Sequence, residues 1–168
     1  MSPPRPPTVV DRPEIPAEYG VPAAEDHLVD WSHVERRLND ERVYWVATAG
    51  ADGQPRVRPL DGIYLDGVIY VGGSPKTQWA RDLTANPRVS VHLDGVGDVV
   101  IVEGEAELMM GADDDLAEKL AEASNAKFPE YGMTAESYRG PGPFAIRPRK
   151  VVAWTDFTKD PTRFRFDR

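Results

Sequence analysis

Between residues 43 and 108 the chain alternates short runs of strand-forming residues with compact turn signals, and this alternation most restricts the folds open to it. Val43-Tyr44-Trp45-Val46-Ala47-Thr48-Ala49 consists of aromatic, β-branched and small residues that fit a pleated surface. Gly50-Ala51-Asp52-Gly53 follows, with residue types that reverse a chain between antiparallel strands. Residues 54–60 return as a strand, although Pro55 and Pro59 withhold amide donors and confine it to an edge or an irregular path. Leu65-Asp66-Gly67 turns again, into the short buried run Val68-Ile69-Tyr70-Val71. Arg88-Val89-Ser90-Val91-His92-Leu93 alternates polar and apolar residues as a half-buried strand does. So do residues 103–108, after an apolar run at 99–102. Residues 151–154 and 164–166 add strand-like pieces near the end. Six short strands joined mostly by tight turns predict a mainly β, antiparallel barrel or sandwich.

Three helices are expected to decorate this barrel. Leu28, Trp31, Val34 and Leu38 recur at helical spacing within residues 24–39, with Trp31 as the anchor. A second helix is predicted from Pro75 to about residue 85, stopped by Asn86-Pro87. A third is predicted over 114–127. It opens on Asp113, Asp114 and Asp115 and closes on Lys127, an order that complements the helix dipole, so the acidic cluster reads as a helix start rather than a metal site. Seven of the 16 prolines fall in the first 22 residues, so 1–23 reads as an extended arm with little structure of its own, ahead of a domain at 24–168.

Composition then narrows function. The chain has no cysteine, which removes disulfides, zinc ribbons and thiolate nucleophiles. Its apolar runs are too short for a membrane span and its start has no apolar signal segment, so a cytoplasmic protein is expected. The net charge is −8, yet residues 54–91 hold five basic and three acidic groups, and residues 139–168 hold eight and three. Basic stretches in an otherwise acidic chain argue against nucleic acid, which needs a broad cationic surface, and fit capture of one small anion.

Two features could bind that anion. Arg56 and Arg58 share one side of an extended segment and could fork onto a phosphate. Ser74-Pro75-Lys76-Thr77 reads as a helix start, with free amides, a cation and a hydroxyl together. Trp79, one turn further on, reads first as core packing. His27, His33 and His92 are scattered, and no nucleophile motif occurs. Any redox chemistry must therefore belong to a bound cofactor.

Taken in order, Tyr44-Trp45-Val46-Ala47-Thr48, Asp52-Gly53-Gln54-Pro55-Arg56-Val57-Arg58-Pro59, Asp66-Gly67-Val68-Ile69-Tyr70, residues 77–83, Asn86-Pro87-Arg88-Val89 and Val100-Ile101-Val102-Glu103-Gly104 resemble the flavin/deazaflavin split-barrel superfamily, the pyridoxamine 5′-phosphate oxidase-like proteins. The resemblance implies a six-stranded antiparallel split β-barrel, usually a homodimer, with a cofactor in a groove at the subunit interface. It places the cofactor phosphate on Arg56, Val57, Arg58, Pro59, Lys76, Thr77, Gln78 and Trp79. Many members carry Ser/Thr-Arg-Lys where this chain has Thr77-Gln78-Trp79, which leaves Arg56, Arg58 and Lys76 to supply the positive charge. The Trp-rich, compact form is most similar to the branch that uses the deazaflavin coenzyme F-420. That implies hydride transfer to a small electron-poor substrate. An FMN-binding oxidase-like protein and a non-catalytic cofactor-binding module are the alternatives.

Overall fold

The structure, a computed structural model, describes residues 6–167. Its strands are β1 (Val9–Asp11), β2 (Val43–Ala49), β3 (Pro55–Leu65), β4 (Val68–Val71), β5 (Arg88–Leu93), β6 (Val99–Leu108), β7 (Phe144–Trp154) and β8 (Thr162–Arg165). Its helices are α1 (Trp31–Asp40), α2 (Gln78–Ala85) and α3 (Asp114–Lys127). The strands form one antiparallel sheet in the order β1-β8-β7-β4-β3-β2-β5-β6, and pairing of β6 with β7 closes β2 to β7 into a six-stranded barrel. The mainly β, six-stranded expectation therefore holds, with β8 and β1 added outside β7.

Alternation along the strands separates two cores. Tyr44 and Val46 of β2, Ile69 and Val71 of β4, and Val151 of β7 fill the barrel, each fully buried. On the other face of β3, β4 and β7, Ile63, Tyr70 and Ala145 pack against Ala117, Leu120 and Ala121 of α3. Pro148 is tolerated inside β7 because a bulge sits beside it: Glu103 pairs with Lys150 and Gly104 with Pro148, leaving Arg149 as the extra residue.

Several boundaries differ from expectation. α1 begins at Trp31 rather than at residue 24. The preceding residues bind other parts of the chain instead: the Arg12 guanidinium takes the Ala24 carbonyl at 2.6 Å, and the Val29 amide donates to Thr162 Oγ1 at 2.7 Å. Trp31 does anchor the helix, with its ring 5.1 Å from Phe164 and 5.2 Å from Phe166. The arm is more ordered than its prolines suggest. β1 pairs with β8, and Asp11 receives Arg163 at 2.8 and 2.9 Å and Arg165 at 2.7 Å. Residues 1–5 of the expected arm lie outside the described residues.

One ammonium ties α1, β2, β3 and α3 together. Lys127 Nζ donates to the carbonyls of Leu38, Glu41 and Gly62 at 3.2, 2.7 and 3.1 Å, and lies 5.0 Å over the Tyr44 ring. Burial lowers this lysine from 10.5 to about 8, whereas burial raises the Tyr44 and Tyr64 phenols above their ordinary range. The unfolded chain keeps the lysine proton up to its ordinary value, so it binds more protons than the folded chain between about pH 8 and 10.5, and stability rises across that window. Above about pH 10 the unfolded tyrosines ionise before the buried ones, and stability falls. Urea unfolding is expected to show stability climbing from pH 7.5 to 9.5, and a flat profile in Lys127→Met. An equal climb in the variant would remove Lys127 as its source.

Candidate functional site

Residues 55–61 of β3 pair only with β2, because pairing with β4 begins at Gly62. One margin of the strand is therefore open, which is where prolines can sit. Arg56 and Arg58 lie opposite Thr48 and Val46, both buried, so both arginines leave β3 on the inward face, as their spacing required.

There the two arginines part. Arg56 Nη2 is 2.6 Å from Asp52 Oδ2, and its Nη1 is 3.4 Å from Asp82 Oδ2. Asp82 is only 3% exposed and also accepts from Thr48 Oγ1 at 3.1 Å and Gln78 Nε2 at 2.8 Å. The Arg56 hydrogen bond holds the Asp52 carboxyl below its usual range. Arg56 and Gln78, both expected to face a cofactor, are thus turned onto a buried carboxylate. Arg58 is exposed. Its Nη1 donates to the Val57 carbonyl at 2.7 Å, and it forms no ion pair among the described residues. Lys76 is exposed too, and its ammonium has no hydrogen-bond or ion-pair partner among the described residues.

The expected helix start is displaced. Ser74 O accepts both the Thr77 amide at 3.1 Å and the Thr77 hydroxyl at 2.8 Å, closing a turn. α2 therefore starts at Gln78 with Thr77 as its cap, so Pro75 and Lys76 precede the helix rather than open it. Trp79 is 6% exposed and packs edge-on against Phe144 with ring centres 5.6 Å apart. It lies beneath Gly73, whose φ is +150° and where a Cβ would sit 3.0 Å from Trp79 Cζ2. Trp79 thus supports the β4–α2 loop from within the core and does not wall an open crevice. Val57, 44% exposed, stands on the opposite, outer face of β3.

On that outer face a cavity of about 540 Å³ opens between the strands and α3. Pro59, Asp61 and Tyr70 line one wall, Phe128, Tyr131 and Met133 the other, and Gly72-Gly73 close one end. Of the expected site residues, Pro59 alone lines it. The sequence carried no local signal for this groove, because its walls come from segments far apart in the chain.

The sequence pattern of the pyridoxamine 5′-phosphate oxidase family matches residues 31–156. The chain belongs to that family. Among solved structures, this oxidase-family barrel is similar to a conserved hypothetical protein from Mycobacterium tuberculosis, with a TM-score of 0.63, 22% identity, and coverage of 78% of this chain and 88% of that one. It is also similar to HutZ, the heme storage protein from Vibrio cholerae, with a TM-score of 0.61, 16% identity, and coverage of 74% and 94%. An F420 reductase aligns with a TM-score of 0.52, 21% identity, and coverage of 70% and 94%. At these identities the likeness is one of fold. No curated protein matches the chain in sequence. Within the pyridoxamine 5′-phosphate oxidase frame, the groove and the two uncommitted cations are neighbours along the chain: Arg58 runs directly into Pro59, and Gly73 leads to Lys76. No helix among the described residues is long and apolar enough to cross a membrane.

Proposed function

We propose that this protein is a deazaflavin (coenzyme F-420)-dependent oxidoreductase that passes a hydride to a small electron-poor substrate, acting as a cytoplasmic homodimer. The observation that carries this reading is a groove with aromatic walls large enough for a flat ring, flanked in sequence by two exposed cations, Arg58 just before Pro59 and Lys76 three residues after Gly73. Those residues fit a phosphate-bearing planar cofactor, which when bound supplies the hydride chemistry that the side chains lack. Arg58 and Lys76, both exposed, would hold the phosphate by charge-assisted hydrogen bonds. Gly72 and Gly73 let the backbone approach closely, and Phe128 and Tyr131 keep water from the ring. A second copy is part of the reading. Val57 and Pro59 stand beside Ala47 and Trp45 on the outer face of β2 and β3, an apolar strip that a partner would cover.

A second reading, an FMN-binding relative or a non-catalytic cofactor carrier, is favoured by one observation. Arg56 and Gln78 are bound to Asp82, which leaves fewer groups for a phosphate. Titration with F-420 and with FMN, followed by cofactor fluorescence, separates the readings. F-420 is expected to bind the wild type. The Arg58→Ala/Lys76→Ala double variant is expected to bind it about 100-fold more weakly, from loss of about 2–4 kcal/mol of charged hydrogen bonding. Arg56→Ala is expected to cost less than about tenfold, because Arg56 is already paired. Unchanged affinity in the double variant would move the phosphate elsewhere, and response to FMN alone would favour the flavin. Tight binding with no turnover of activated alkenes would favour the carrier.

A further inference from the structure

The groove beside α3 has one charged side chain in its lining, Asp61. Its Oδ2 accepts the hydroxyl hydrogen of Tyr131 from the facing wall. That bond holds the Tyr131 phenol above its ordinary range, so the hydroxyl stays protonated and the carboxylate stays its acceptor. A carboxylate offers about four acceptor positions, and Tyr131 fills one of them. The cations around the groove stand outside its lining: Arg58 and Lys76 flank it in sequence, and the charges of Arg42 and Arg147 reach Tyr131 and Tyr70. Arg42 pairs with Glu130 and stacks 4.7 Å over the Phe128 ring, and Lys127 is held by the carbonyls described above. The remaining lining is aromatic, proline, glycine and small polar residues, which favour a flat ring.

We propose that this groove is the substrate side of the site and selects flat, neutral or cationic rings that carry an N–H or O–H donor, received by the Asp61–Tyr131 pair, while rejecting carboxylates of the same shape. This deepens the oxidoreductase reading and rests on it. Selection comes from the sign of the field. A donor on the ring takes one of the acceptor positions of Asp61 that Tyr131 leaves open. An anionic ring meets a like charge across apolar walls, with no lining cation to offset it.

The test uses three rings of one shape, 4-nitrobenzyl alcohol, 4-nitrobenzylamine and 4-nitrobenzoate, with binding to the full chain measured by calorimetry at pH 7. The alcohol and the amine are expected to bind at least about tenfold more tightly than the benzoate. In Asp61→Asn the benzoate should come within about threefold of the alcohol, because the repulsion is gone. Asp61 is exposed, so the variant should fold, and Glu107→Gln on the β6 surface is the control that leaves the order intact. Benzoate binding equal to the alcohol in wild type, an unchanged order in Asp61→Asn, or no binding of any ring would each overturn the proposal. The F-420 titration is a separate signal. A protein that binds F-420 but does not rank the rings fails only here, and one that ranks the rings but ignores F-420 fails only the cofactor reading.

Discussion

Gly62→Ala is expected to cost about 3 kcal/mol or more of folding stability, at the upper end of what overpacking a core does. A Cβ at residue 62 would lie 2.2 Å from Tyr44 Cδ2 and 2.4 Å from Cε2. The ring cannot step aside. Tyr44 is fully buried, its hydroxyl donates to the Leu38 carbonyl, and Lys127 sits on both its oxygen and its face. The backbone cannot yield freely either, because Gly62 pairs with Val71 and gives its carbonyl to Lys127. Urea unfolding reads the loss, and a cost below about 1 kcal/mol would show that the barrel wall is softer than this packing implies. Tyr44→Leu in the same background should recover part of it, because the two residues share one space.

Asp82→Ala is the second large effect, expected at about 3 kcal/mol. The substitution removes a buried carboxylate and orphans the Thr48 hydroxyl at the end of β2. It also takes one of the two carboxylates from Arg56 and leaves Gln78 without its acceptor. The loss stays below the full cost of breaking a buried pair because Arg56 keeps Asp52 and is partly exposed. Asp82→Asn retains one acceptor and should cost roughly half as much. Thermal unfolding at pH 7 distinguishes the two, and equal stability of wild type and Asp82→Ala would mean that β2, β3 and α2 are joined by packing alone.

The barrel was legible because its strands are locally consistent. β2, β4, β5 and α3 have the boundaries that alternation, turns and the dipole-matched charges indicated. Misplaced boundaries share a cause. β7 starts at Phe144 and runs through Arg147-Pro148-Arg149-Lys150, a polar and proline-bearing stretch that is a strand because β6 pairs along it and β8 joins at Lys150. α1 and α2 start late because Ala24 and Ser74 put their carbonyls to other uses. The site was legible in part. The side to which Arg56 and Arg58 point follows from strand parity, but the capture of Arg56 by Asp82 joins residues 26 positions apart and leaves no local trace. The groove, and the Asp61–Tyr131 pair across it, join residues 70 positions apart.

The open margin of β3 has a consequence for assembly. A bare strand margin invites another chain to add to it, and runaway addition of that kind leads to insoluble fibres. Here Pro55 and Pro59 remove two donors from a stretch of seven residues paired on one side, and the Arg58 side chain occupies the Val57 carbonyl. An intruding strand would find too few donors to zip along it. The molecule can therefore keep a gap in its wall without further strands adding along that edge.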